Sequence, residues 1–127
     1  MRNPLLASSI FGLTGVVLGA FGAHALRDTL AAQSSAGTWQ TAVLYQLVHA
    51  VALLGLGLAR PTAPWLDRAA LMWTAGIVLF SGSLYLLALG GPKWLGPVTP
   101  LGGLGFITGW ICVLLHARST GSAGRDS

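Results

Sequence analysis

Residues 7–26 read ASSIFGLTGVVLGAFGAHAL, an apolar run in which Ser8, Gly12, Gly15, Gly19 and Gly22 recur at alternating spacings of four and three. On an α-helix those positions fall in one narrow stripe, and in lipid a stripe almost without side chains lets a second backbone come close. His24, near the end of the run, points almost directly away from that stripe, on the bulky side with Leu13, Val17 and Phe21. A helix of this kind predicts an all-α bundle in a membrane.

The composition supports that reading. The chain of 127 residues is 54% hydrophobic and only 8% charged, against about a quarter charged in an ordinary soluble domain. In a bilayer the apolar faces of helices look outward as well as inward, so one such domain suits this length. The net charge of +4 comes from scattered single residues, which gives nucleic-acid binding no electrostatic footprint. One cysteine, Cys112, forms no internal disulfide and says nothing about redox compartment.

Four apolar runs are read at about 4–26, 39–58, 69–89 and 99–116, inside a transmembrane domain of residues 1–118, with residues 119–127 a disordered polar tail. Crossing the hydrocarbon takes roughly 20 apolar residues; the fourth run is short and needs the reach of His116 and Arg118 to complete it. Asn3 before Pro4 and Thr99 before Pro100 read as caps preceding a proline in the first turn. Arg60 before Pro61 closes the second run, and Gly90, Gly91 and Pro92 close the third. Trp39, Trp65 and Trp94 are expected at the water boundaries, and Asp28, beside Arg27, is expected in a solvated loop or as the cap of a short interfacial helix over 29–32.

Arg2, Arg60, Arg68, Arg118 and Arg125 fall on one side of the bundle and Arg27 and Lys93 on the other, so both termini are expected in the cytoplasm. Arg2, the first apolar run and Ala23-His24-Ala25 imitate a secretory signal. The run is long for a signal core and its glycines are helically phased, so a retained membrane helix is expected.

On the second run Thr41, Tyr45, His49, Ala52 and Leu56 share one face, with Gln46 on its flank. A charged imidazolium at the depth of His49 is costly, so the neutral form is expected. The third run carries Thr74, Ser81 and Tyr85 at turn spacing, which predicts hydroxyl contacts with the second. The fourth repeats the small stripe in Gly102, Gly105, Gly109, Cys112 and His116. The first and fourth helices are therefore expected to pack on each other along their small faces, although a second subunit would satisfy the same physics.

Four segments, GAFGAHAL (19–26), WQTAVLYQLVHA (39–50), LFSGSLYLLAL (79–89) and TPLGGLGFITGW (99–110), appear together in this order. The chain thereby resembles the YgdD/YwdK-like small membrane proteins, domain-of-unknown-function family 423, over nearly its whole length except the tail. The resemblance implies a small multi-helix protein of the bacterial inner membrane and implies no reaction.

The polar intramembrane candidates are His24, Tyr45, Gln46, His49, Ser81 and Tyr85. Intramembrane ionisable residues are functional candidates by default, yet Tyr and His also join helices. His24 and His49 invite a haem or metal reading, but they are offset by about 10 Å along the bundle at 1.5 Å per residue, and neither run pairs ligands at close spacing. No cofactor or metal is expected. Asp28, Asp67 and Asp126 all fall in loops or the tail, so Ser81 has no orienting acid and hydrolytic chemistry has no basis. GGLG at 102–105 follows no strand and precedes no Gly-Lys-Ser/Thr, so it is not a phosphate loop.

The expected function is that of a non-enzymatic accessory or interaction subunit in the lipid bilayer, self-associating or bound to another membrane protein. Two rivals are a small transporter with a polar path around Tyr45, His49, Ser81 and Tyr85, and a quinone- or haem-associated redox accessory.

Overall fold

The computed structural model describes residues 3–59 and 62–125. Arg2, Arg60, Pro61 and Asp126, to which the sequence assigns orientation, a helix closure and a tail carboxylate, lie outside the described residues.

Helix α1 (Pro4–Ala23) opens as expected, with the Leu6 N–H donating to Asn3 Oδ1 at 2.9 Å and Pro4 in the first turn. It ends three residues earlier than the apolar run, at His24. A six-residue helix, α2 (Arg27–Ala32), follows. It starts two residues before the expected position and Asp28 lies inside its first turn, so Asp28 is not its cap. Ser34, at φ 51°, reverses the chain while Ser35 N–H bonds to Leu30 O. Helix α3 (Ala36–Ala59) is the second span.

The third span is compound. Helix α4 (Pro64–Gly76) passes into a π-helical turn over Ile77–Ser81 and continues as α5 (Gly82–Ala88). Gly90, at φ +87°, and Gly91 close it, their N–H groups bonding to Leu87 O and Leu86 O. This double bond is the Schellman stop that the glycines predict. After a 3-10 turn at Lys93–Leu95, α6 runs from Val98 to Arg125.

Two sequence expectations fail on α6. It begins one residue before Thr99, whose hydroxyl hydrogen-bonds to Ser83 Oγ and so does not cap the helix. It also continues through 119–125, where a disordered tail is expected. Thr120 holds that extension by donating to His116 O and Ala117 O.

Four helical segments are long and apolar enough to cross a membrane, Pro4–Ala23, Ala36–Ala59, Pro64–Ala88 and Lys93–Ser122. Leu13, Val51, Leu86 and Leu104 are all more than half exposed on their outer faces. Lipid is the solvent that stabilises such faces.

The small stripes of α1 and α6 do not pair with each other, which corrects the expectation from their spacing. A Cβ on Gly15 would lie 2.6 Å from Leu47 Cδ2, one on Gly19 would lie 3.3 Å from Val43 Cγ1, and one on Gly22 would enter the Trp39 indole. All three contacts are with α3, which runs antiparallel to α1. Gly102 lies against the Phe80 backbone, Gly105 against Met72 O and Gly76, and Gly109 against the Trp73 indole. These belong to the third span. Each stripe therefore packs on its neighbour in sequence. Gly12 faces open space within 4 Å and takes no part in the packing.

The two pairs close over a core of Ala7, Leu53, Ala70, Trp73, Ile77 and Phe106, drawn from all four spans. A second cluster, Leu30, Trp39 and Ala88, seals the end near α2. Trp39 is 3% exposed and donates its indole N–H to Leu18 O at 2.8 Å. It is an interior residue and not the boundary ring that its place in the run predicts. Trp94 is exposed, and Trp65 lies beneath the Arg68 guanidinium.

Candidate functional site

Gln46 is the hub of the polar interior. Helix α3 turns its amide toward both neighbouring spans, and the residue is 3% exposed. Nε2 donates to Phe11 O at 2.9 Å and to Thr14 Oγ1 at 2.8 Å. Oε1 accepts from the Tyr85 hydroxyl at 2.6 Å, and the Thr14 hydroxyl donates in turn to Ile10 O. One amide thus ties three spans, with both donors and an acceptor used, as a buried amide in a low-dielectric medium requires.

His49, one turn further along α3, is the second junction. Its Nδ1 lies 2.8 Å from Tyr45 O, and its Nε2 lies 3.0 Å from the Trp110 indole nitrogen. A carbonyl only accepts and an indole N–H only donates, so Nδ1 carries the proton and Nε2 is a bare acceptor. That is the neutral Nδ1–H tautomer. The ring stacks on Phe106 at 3.8 Å and 11° and meets the edges of Trp73 and Trp110 near 6 Å. Tyr45 extends the stack onto Phe80 and Phe106 at 4.7 and 5.9 Å. With both nitrogens engaged, His49 offers no lone pair to a metal, and the described residues hold no group of three or more His, Cys, Asp or Glu suited to one.

Ser81 is fully buried and donates to Ala42 O on α3 at 2.7 Å. It ends the π turn, and that turn also breaks the expected stripe of Thr74, Ser81 and Tyr85. Thr74 lines a groove with Asn3, Leu6 and Phe11 of α1, whereas Ser81 and Tyr85 reach α3. Seven residues of regular helix would have kept Thr74 and Ser81 on one face; the wider turn rotates them apart.

The structure therefore gathers Tyr45, Gln46, His49, Ser81 and Tyr85 along the α3 interface. His24 stands apart, exposed at the C-terminal cap of α1 and beside Val17, Ala20, Phe21 and Ala25. The site also contains residues that the sequence reading does not single out: Thr14, Trp73, Phe106 and Trp110. Trp110 carries a readable signal, since it falls deep in the fourth run, away from any water boundary, where an indole N–H needs an internal acceptor. Trp73 is 2% exposed, and its Nε1 has no hydrogen-bond partner among the described residues.

The family described as "Protein of unknown function (DUF423)" matches residues 18–103. The UPF0382 inner membrane protein YgdD of Escherichia coli is 43% identical over 118 residues, which covers 91% of this chain and 89% of that protein. A UPF0382 membrane protein of Staphylococcus epidermidis is 38% identical over 116 residues, covering 91% and 94%. No solved structure matches the chain.

Proposed function

The chain belongs to the DUF423 family of multi-pass membrane proteins, and from that premise we propose that it works as a non-enzymatic accessory or interaction subunit, with both termini in the cytoplasm. One observation carries this reading: Gln46, His49, Ser81 and Tyr85 are bonded to one another, to neighbouring side chains or to backbone carbonyls across the bundle. Gln46 is bonded to Thr14 and Tyr85, His49 to Trp110 and its own helix, and Ser81 to Ala42 O.

Groups committed in this way hold helices together. A transport path through the same residues would need room beside them, and Ser81 has no exposed surface. Haem ligation would need a free imidazole nitrogen, which His49 lacks. The orientation is supported by the basic residues, with Arg68 and Arg118 at the end of the bundle that bears the termini and Arg27 and Lys93 at the other.

Chemical cross-linking in native membranes, followed by purification and mass spectrometry, tests the reading. A membrane-protein partner, or a second copy, recovered in fixed proportion to the chain is expected. A chain that crosses no linker to any protein in its native membrane overturns the accessory role.

A further inference from the structure

Two tryptophans sit on glycines in the same way, one in each antiparallel pair of helices. Trp39 of α3 covers Gly22 of α1, with its Cε2 3.3 Å from the point that a Cβ on Gly22 would occupy, and Trp73 of α4 covers Gly109 of α6, with its Cε2 3.1 Å from the equivalent point. In both, the Cδ1–Nε1 edge of the indole is the part nearest the glycine. Trp39 uses that edge: its N–H donates at 2.8 Å to Leu18 O, the carbonyl four residues before Gly22. The equivalent carbonyl on α6 is Gly105 O, and Trp73, 2% exposed, has no hydrogen bond to it or to any other described residue. A buried indole N–H without an acceptor is costly.

The two pairs also differ in what holds their register. Along α1–α3 the glycines receive Leu47, Val43 and Trp39, and Ser8 and Gln46 bond across the seam to Ala50 O and Phe11 O. Side chains set into notches resist sliding. Along α4–α6 backbone meets backbone: a Cβ on Gly105 would lie 3.1 Å from Met72 O and 3.3 Å from Gly76 Cα. The side chains that enter this seam, Trp73 over Gly109 and Phe106 over Gly76, are flat rings, which present no ridge to interlock along the axis. The far end of α4 runs into the π turn, where the Gly82 N–H bonds five residues back to Ile77 O. Beyond the turn, α5 is fixed, with Ser81 bonded to Ala42 O and Tyr85 to Gln46. A π turn holds an extra residue within the helix and so has length to give.

We propose that α4 is a sliding half-helix with two positions on α6: the one described, and a second in which Trp73 donates to Gly105 O as Trp39 does to Leu18 O. The π turn takes up the shift, of about 1–2 Å as packed helices move, while α5 stays bonded to α3. Trp65 and Arg68, in the first turns of α4, move with it. The device therefore links the aromatic cluster in the middle of the bundle to the loop that precedes Pro64.

The test is solution NMR of the full chain in detergent micelles, reading the indole N–H resonances of Trp39 and Trp73. Helix shifts fall on the microsecond-to-millisecond scale that relaxation dispersion detects, so dispersion is expected at Trp73 and none at Trp39. Deleting Val78 removes the extra residue of the turn and is expected to abolish the dispersion at Trp73. Gly82→Ala, whose methyl group meets nothing within 4 Å, keeps the fold and is expected to lower the minor population about threefold by stiffening the end of the turn. A Trp73 resonance without dispersion overturns the proposal, as does dispersion of equal size at Trp39 or dispersion left unchanged by both variants. Should the deletion fail to fold, the Gly82→Ala comparison decides the matter alone.

Discussion

The indole N–H of Trp110 on α6 points into the bare Nε2 of His49 on α3 across 3.0 Å, joining two spans that are not neighbours in sequence. A donor-only group held against an acceptor-only nitrogen excludes a proton from that atom. The pair is a fixed join, and its strength is measurable. In a double-mutant cycle of His49→Phe and Trp110→Phe, unfolded in mixed detergent micelles, the coupling is expected at about 0.6–1.7 kcal/mol, the span found for hydrogen bonds between membrane helices. Additive single effects would show that the two groups do not interact.

Tyr85 and Gln46 form the corresponding join between the third span and α3. Tyr85→Phe keeps the ring against Trp39 but strips the hydrogen from Gln46 Oε1, at a cost of about 1–3 kcal/mol for a buried acceptor left unpaired. Gln46→Leu costs at least as much, because Thr14, Phe11 O and Tyr85 all lose a partner. The double variant is expected to be less destabilised than the sum of the two, and midpoints of detergent unfolding give the comparison.

The glycines of the two small stripes separate into those that touch a neighbour and Gly12, which does not. Gly22→Ala and Gly109→Ala each drive a methyl group into a tryptophan and should lower stability by about 1–3 kcal/mol. Gly12→Ala meets nothing within 4 Å and should raise it by about 0.5–1 kcal/mol through helix propensity. Opposite signs from the same substitution at Gly12 and Gly22 of one helix make this a strict comparison. His24→Ala, at an exposed cap, is expected to leave the unfolding midpoint in place.

Topology is open to a direct reading. Reporter fusions at Gly37 and Lys93 should report the side away from the cytoplasm, and fusions at Pro64 and the C-terminus the cytoplasmic side. A C-terminal fusion active outside the cytoplasm would reverse the proposed orientation.

The four spans were legible because length and hydropathy suffice to define them, and Asn3, Gly90 and Gly91 marked ends through chemistry local to the chain. The partners of the small faces were not. Spacing such as Gly15, Gly19 and Gly22 records that something comes close, while which helix does so depends on the side chains that fill the stripe, here Leu47, Val43 and Trp39 of α3. Trp39 was misplaced for a related reason: a ring at the end of an apolar run suits the boundary, but the missing side chain at Gly22 opens room for it inside. Of the polar site, Tyr45, Gln46, His49, Ser81 and Tyr85 were legible as rare polar groups in apolar runs. Their bonding depended on Thr14 and Trp110, which lie in other spans.

The π turn at Ile77–Ser81 gives the third span an odd residue, and that residue acts as a clutch between its two halves. A regular helix can show only one face to one neighbour along its length, whereas a slip of about 100° lets the lower half turn Thr74 to α1 and the upper half engage Ser81 and Tyr85 with α3. Deleting Val78 would take out that odd residue, and regular winding over the six steps then left between Thr74 and Ser81 gives about the same relative turn as seven steps with the slip, so Ser81 and Tyr85 would keep facing Ala42 and Gln46. The interior is therefore keyed to the width of this turn: the same residues wound as a regular helix would carry Ser81 and Tyr85 about 100° away from Ala42 and Gln46.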